Sequence, residues 1–156
     1  MKRVLFVCTG NICRSPTAEG VARHFIETGG LQHLVDVDSA ATQGYHVGEP
    51  PDPRAVQAAA RRGYDLSGLR ARKLIPQDYQ RFDLLLGMDH GHLKIMKAAC
   101  PEVYRPRLDL FLRFAPESEF DEVPDPYYGG AQGFDLVLDL CERAVAGLLD
   151  HLAHAC

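Results

Sequence analysis

Four short apolar runs alternate along this chain with stretches of helical period. That alternation restricts the fold more than any other feature. The runs are residues 4–7 (Val4-Leu5-Phe6-Val7), 34–39, 82–86 (Phe82-Asp83-Leu84-Leu85-Leu86) and 108–112. Each has the length of a strand, and the first and third read as buried on both faces. Between and after them, apolar residues recur on one helical stripe. After Ser15 the stripe is Ala18, Val21, Ala22, Phe25 and Ile26. Near the end of the chain it is Phe134, Val137, Leu138, Cys141, Val145, Leu148, Leu149 and Leu152.

Strands that alternate with helices imply a parallel sheet, right-handed crossovers and helices on both faces. The expectation is one α/β domain over residues 1–156 with a four-stranded parallel sheet, a length that supplies a sizeable core. Ser15-Pro16 and Asp52-Pro53 each read as an N-cap followed by proline at the first helical position. Gly29-Gly30 ends the first helix, and the second runs to Gly63. Residues 64–81 read as loop with some helical turn. Met88-Asp89 opens a helix that runs to about Ala99. Residues 115–133 form a loop rich in Pro, Gly and acids, and a loop of that length in a compact domain is usually functional. Ligands of such sheets bind beyond the carboxyl ends of the strands. The segment after Val7, Ser39-Ala40, Met88-Asp89 and the 115–133 loop all open onto that edge.

The segment after Val7 is Cys8-Thr9-Gly10-Asn11-Ile12-Cys13-Arg14-Ser15. A cysteine therefore ends a strand and an arginine begins a helix. Backbone N–H groups at a helix start are unpaired and lie at the positive end of the dipole, where phosphate binds readily. Gly10 lets the backbone curl so that these groups converge. Asn11 tolerates a left-handed conformation in a tight loop. Arg14 offers a planar fork to two phosphate oxygens. The same field favours a thiolate at Cys8. A thiolate, an anion cradle and an arginine describe a nucleophile for phosphoryl transfer.

These residues, V-L-F-V-C-T-G-N-I-C-R-S-P-T-A-E, resemble the signature of the low-molecular-weight protein tyrosine phosphatases. The resemblance continues in V-D-S-A-A-T near residue 40, in G-E-P-P-D-P-R-A near residue 52 and in D-P-Y-Y-G at 125–129, and it covers essentially the whole chain. It implies a flavodoxin-like three-layer sandwich. It implies hydrolysis of protein phosphotyrosine, and of small aryl phosphates, through a cysteinyl-phosphate. Cys8 is then the nucleophile, Arg14 binds the phosphoryl group, and Asp125 gives the leaving oxygen its proton and later activates water. Thr9, Gly10, Asn11, Ile12, Cys13 and Ser15 form the phosphate loop, with Ser15 giving its hydroxyl to Cys8 and Asn11 bonding to Ser39. Tyr45, Tyr127 and Tyr128 match aromatic positions at the substrate cleft. Many relatives carry a histidine at the position of Leu69 that supports the phosphate loop. With leucine here, that support must come from elsewhere.

Other classes fit less well. Seventeen Lys and Arg against 21 Asp and Glu give a mildly acidic, dispersed charge, which does not suggest nucleic acid or membrane surface. No metal and no cofactor is expected: His90 and His92 lack a ligand cluster and read as solvated helix-start residues. Five cysteines without scaffold spacing and no signal-peptide pattern favour a reducing cytoplasm. Cys13 is either a redox partner of Cys8 or a packing residue. Cys141 reads as core, and Cys100 and Cys156 as incidental. Two competing functions differ in kind. A thiol-dependent arsenate reductase would need two more cysteines near the end of the third strand, where residues 80–95 have none. A non-catalytic phosphotyrosine-binding module would not need Cys8, Arg14 and Asp125 together. The expected partners are phosphotyrosine-containing proteins, with a tyrosine kinase as one candidate. The expected state is a monomer or a weak dimer.

Overall fold

The computed structural model describes residues 1–154, so Cys156 lies outside the described residues. The elements follow the order β1 (Lys2–Cys8), α1 (Arg14–Thr28), β2 (Val35–Ala41), α2 (Pro53–Arg61), α3 (Asp78–Arg81), β3 (Leu84–Gly87), α4 (His90–Ala99), β4 (Leu108–Leu110) and α5 (Ala131–Ala153). Short 3-10 turns flank β4 at Glu102–Arg107 and Phe111–Phe114. The four strands are parallel, in the order β2-β1-β3-β4, so β1 is central. Both the sheet and the element types match the sequence expectation.

Side-chain alternation along β1 divides the core. Val4, Phe6 and Cys8 face a large cluster with α1, α2 and α5, while Leu5 and Val7 face a smaller one with Tyr79, Phe82, Leu85 and Met96. Phe6 meets Phe111 edge to face at 5.2 Å between ring centres. All eight residues of the predicted α5 stripe are buried. At about 1.5–3 kcal/mol for each fully buried large aliphatic side chain, this face supplies much of the force that docks α5. Cys141 lies within it, fully buried, as expected. Among the described residues, no helix is long and apolar enough to cross a membrane.

The boundaries depart from expectation at the start of α1 and at the end of β4. The first helix begins at Arg14 with Cys13 at its N-cap and no side-chain cap, so Ser15 is inside the helix and not its cap. The hydroxyl of Ser15 is engaged elsewhere, as described below. The fourth strand stops at Leu110, because residues 111–114 turn into a 3-10 helix. Residues 64–81, read as loop with some helical turn, hold a single bridge, Ala41 to Lys73, and the short α3, as expected. The Asp52-Pro53 start is as predicted: Asp52 accepts from the Arg54 amide at 2.8 Å.

Candidate active site

β1 delivers Cys8 to the carboxyl edge of the sheet, and the chain then turns within five residues into α1. Asn11 makes the turn, at φ +58°. Gly10 is not left-handed. Its missing side chain instead makes room for His46, whose Cδ2 would lie 2.9 Å from a Cβ at that position. Among the described residues, the amides of Gly10, Ile12 and Cys13 meet no hydrogen-bond acceptor in the protein. With the free amides of the first helical turn they are available to an anion.

The side chain of Asn11 fastens the loop from inside. Its Nδ2 donates to Ser15 Oγ at 2.7 Å and to Ser39 Oγ at 2.9 Å. Its Oδ1 accepts from the Arg72 amide at 3.0 Å. Ser39 donates in turn to Glu19 Oε1 at 2.6 Å, and Arg23 holds the other oxygen of Glu19 at 2.8 Å. Burial pushes the Glu19 carboxyl above its ordinary value, while the bonds from Ser39 and Arg23 work against that rise. Ser15 Oγ, which accepts from Asn11, lies 3.0 Å from Cys8 Sγ, where its hydroxyl can donate to a thiolate. The Asn11 amide reaches the same sulfur at 3.3 Å. The Asn11 amide and the Ser15 hydroxyl thus both lie against the Cys8 sulfur. Leu69 is half-buried and packs against the core. Among the contacts above, the Arg72 amide and the Glu19–Arg23 pair hold Asn11 and Ser39 without a histidine.

Arg14 is buried, at 4% exposure. Its Nη1 donates to Asp89 Oδ2 at 2.9 Å and to the Val123 carbonyl at 3.1 Å. Asp89 also caps α4 by accepting from the His92 amide at 3.0 Å. Burial opposes ionisation of Asp89, but the His92 amide and Arg14 outweigh it and hold the carboxyl below its ordinary range. Asp125 Oδ1 accepts from the Tyr127 amide at 3.0 Å, and Oδ2 lies 3.8 Å from Arg14 Nη2. Arg54 braces the same segment: it pairs with Asp52 at 2.9 Å and donates to the Tyr127 carbonyl at 3.1 Å. The Asp52 amide bonds back to Ile12 in the loop at 2.8 Å.

The result is a cleft of about 220 Å³ with Cys8 and Arg14 at its floor. Thr9, Gly10, Ile12 and Cys13 line it, Asp125 lies on its wall, and Tyr45, Tyr127 and Tyr128 form its rim. Tyr127 and Tyr128 pack edge to face at 5.0 Å, and Tyr128 is 90% exposed. Asn11, Ser15 and Ser39 sit behind the loop and brace it. Burial and the nearby Asp52 carboxylate push the Cys13 thiol up to about 12.

One sequence expectation is overturned. His92 is not solvated but buried, with Nε2 2.8 Å from Thr9 Oγ1 and 3.5 Å from Arg14 Nη2. Burial, then the Arg14 charge, bring its pKa down to about 4. His90 is exposed, as expected, and pairs with Asp121 at 3.0 Å. Sequence reasoning placed Met88-Asp89 at this edge but gave Asp89 no role, and it missed Glu19 as a neighbour of the site. The usable signal for Asp89 was its place just past β3, beside the Cys8 edge.

A family model described as low molecular weight phosphotyrosine protein phosphatase matches residues 3–155. A low molecular weight protein-tyrosine-phosphatase of Streptomyces coelicolor is 45% identical over 151 residues, covering 94% of this chain and 91% of that one. The human low molecular weight phosphotyrosine protein phosphatase is 36% identical over 151 residues, covering 96% and 94%. The crystal structure of a protein tyrosine phosphatase from Entamoeba histolytica, with Hepes in its active site, superposes with a TM-score of 0.96. It is 36% identical and covers 99% of both chains.

Proposed function

The chain belongs to the low molecular weight phosphotyrosine protein phosphatase family, and from that premise we propose that it cleaves protein phosphotyrosine and small aryl phosphates through a cysteinyl-phosphate on Cys8. The observation that carries this reading is the meeting of Cys8 Sγ, the Arg14 guanidinium and the Asp125 carboxyl in one cleft. The phosphoryl group sits in the loop, held by the free amides and by Arg14, which stabilises the charge of the transition state. The Cys8 thiolate attacks phosphorus, and the bond to the aryl oxygen breaks. Asp125 gives its proton to that oxygen, and the phenol leaves. Water then attacks phosphorus while Asp125 takes its proton. The sulfur–phosphorus bond breaks, inorganic phosphate leaves and the thiolate returns. Ser15 and the Asn11 amide stabilise that leaving thiolate. Tyr45, Tyr127 and Tyr128 wall the aryl ring. The substrates are phosphotyrosine proteins of a reducing cytoplasm, a tyrosine kinase among the candidates, met by residues 1–156 acting as one catalytic domain.

The test is p-nitrophenyl phosphate and phosphotyrosine peptide hydrolysis by the parent, Cys8→Ser and Arg14→Ala. Cys8→Ser should lose turnover and still bind inorganic phosphate; Arg14→Ala should lose both. Substantial hydrolysis by Cys8→Ser would sink the covalent mechanism.

A further inference from the structure

We propose that His92 is a positioning residue for the bound phosphoryl group, holding Thr9 and the Arg14–Asp89 pair in the places from which they meet the anion. The inference rests on the reading of the cleft as a phosphate site. Its basis is the tautomer that the hydrogen bond to Nδ1 selects. The Asp89 amide donates to His92 Nδ1 at 3.2 Å, so the ring hydrogen lies on Nε2. Nε2 therefore donates to Thr9 Oγ1 at 2.8 Å. The Thr9 carbonyl is held on its other side by the Gln43 amide at 3.0 Å. The first residue after the nucleophile is thus fixed at both backbone and side chain.

The same tautomer decides what His92 does to Arg14. Nε2 carries a hydrogen and cannot accept from Nη2 at 3.5 Å. The contact is a wall, not a bond. Nη1 is already occupied by Asp89 and Val123. Among the described residues, Nε and Nη2 then have no hydrogen-bond acceptor, and that edge is the one a bidentate oxyanion takes. An imidazolium would aim a second hydrogen at the Asp89 amide and add a charge beside Arg14; Asp89 Oδ1, 3.1 Å from Nδ1, favours that charge, but burial and Arg14 outweigh it. The low basicity of the ring keeps it neutral at neutral pH. One buried ring therefore serves three purposes: it completes the α4 cap, anchors Thr9 and bounds the guanidinium.

A plain helix-cap role predicts something different, and Asn at this position separates the two. An asparagine reaches the place of Nδ1 but not of Nε2, so His92→Asn keeps the cap and drops the Thr9 bond. The thermal midpoint at pH 7 should stay near that of the parent. The dissociation constant for inorganic phosphate, read by calorimetry, should rise about 3- to 10-fold, the range expected for one neutral hydrogen bond. For an aryl phosphate KM should rise and kcat should fall as well, since Arg14 acts in both states. Thr9→Val should reproduce the phosphate effect, and the double variant should be no worse than either single one. If His92→Asn does not fold, Thr9→Val carries the comparison alone. Parental phosphate affinity in the folded variants, or losses that simply add, would overturn the proposal. The calorimetry needs no turnover. A parent that binds phosphate but hydrolyses no aryl phosphate refutes the catalytic reading and leaves the positioning test intact. A parent that binds no phosphate refutes both.

Discussion

Replacing Asp125 by asparagine is the sharpest test of the acid role, because the structure lets the replacement remove one thing only. Oδ1 of Asp125 accepts from the Tyr127 amide at 3.0 Å, and an asparagine oxygen can do the same. The loop therefore keeps its local anchor. Oδ2 faces Arg14 at 3.8 Å and, in the proposed mechanism, is the oxygen that carries the transferable proton. The side chain is 42% exposed, so it can exchange that proton with water between the two half-reactions. General acid catalysis typically contributes about 10²–10⁴-fold, or about 3–5 kcal/mol of barrier. The full loss should appear with phosphotyrosine, whose phenoxide is a poor leaving group. p-Nitrophenyl phosphate releases a stabilised phenoxide and should lose much less. The assay is the single-turnover rate of product release for each substrate, which isolates formation of the cysteinyl-phosphate from its hydrolysis. Asp125→Ala should be worse than Asp125→Asn for both substrates, since it also frees the Tyr127 amide. Equal losses for the two substrates in Asp125→Asn would refute the reasoning. Asp121 and Glu122 are weaker replacements, because both are tied to His90, at 3.0 Å and 2.7 Å.

Two further outcomes follow from the buried groups. His92 has a folded pKa of about 4 against an ordinary 6.5, so between those values the unfolded chain holds a proton that the folded one does not. Stability should fall as pH drops through that window, by about 2–3 kcal/mol at pH 4.5 relative to pH 7 from this group alone. The unfolding free energy from denaturant titration should drop between the two pH values by about that much more in the parent than in His92→Asn, the raised Glu19 carboxyl being common to both; parallel curves would contradict it. For Cys13, peroxide-inactivated protein should regain activity with dithiothreitol, and Cys13→Ser should recover poorly. The raised Cys13 thiol should make disulfide closure slow at neutral pH and faster as pH rises. Equal recovery of the two proteins would leave Cys13 as a packing residue.

What could be read from the sequence was whatever the chain encodes within a few residues. The alternation of apolar runs and helical stripes was enough for a parallel sheet. The Cys8–Arg14 spacing between strand and helix was enough for an anion cradle. Ser15 was misplaced because Ser-Pro reads as a cap, whereas its hydroxyl is held by Asn11 and turned toward Cys8. Gly10 was credited with a curl that Asn11 makes, because a glycine needed for close approach looks the same in sequence as one needed for positive φ. His92 was invisible for a different reason. Its partners Thr9 and Arg14 are 83 and 78 residues away, and nothing near Met88-Asp89 sets it apart from an ordinary helix start. Only the strand order, with β3 beside β1, brings them together.

That strand order also explains how a long loop holds the Asp125 carboxyl in place at the cleft. A buried guanidinium is costly unless its hydrogen bonds are met. Arg14 has no such partner on α1 in the contacts described, and its Nη1 turns to Asp89 and to the Val123 carbonyl. Val123 is itself buried, and its amide donates to the Met88 carbonyl at 2.8 Å. Met88 lies between the end of β3 and the Asp89 cap, so one residue ties the 115–130 segment to the sheet and to the arginine together. Asp125 follows two residues later, with Pro124 and Pro126 on either side limiting its freedom. Arg14 satisfies its own burial by holding the segment that carries Asp125. Arg14 and Asp125, the phosphate-binding group and the proton donor of the proposed mechanism, are therefore located by the same contacts, and a shift in one is felt by the other.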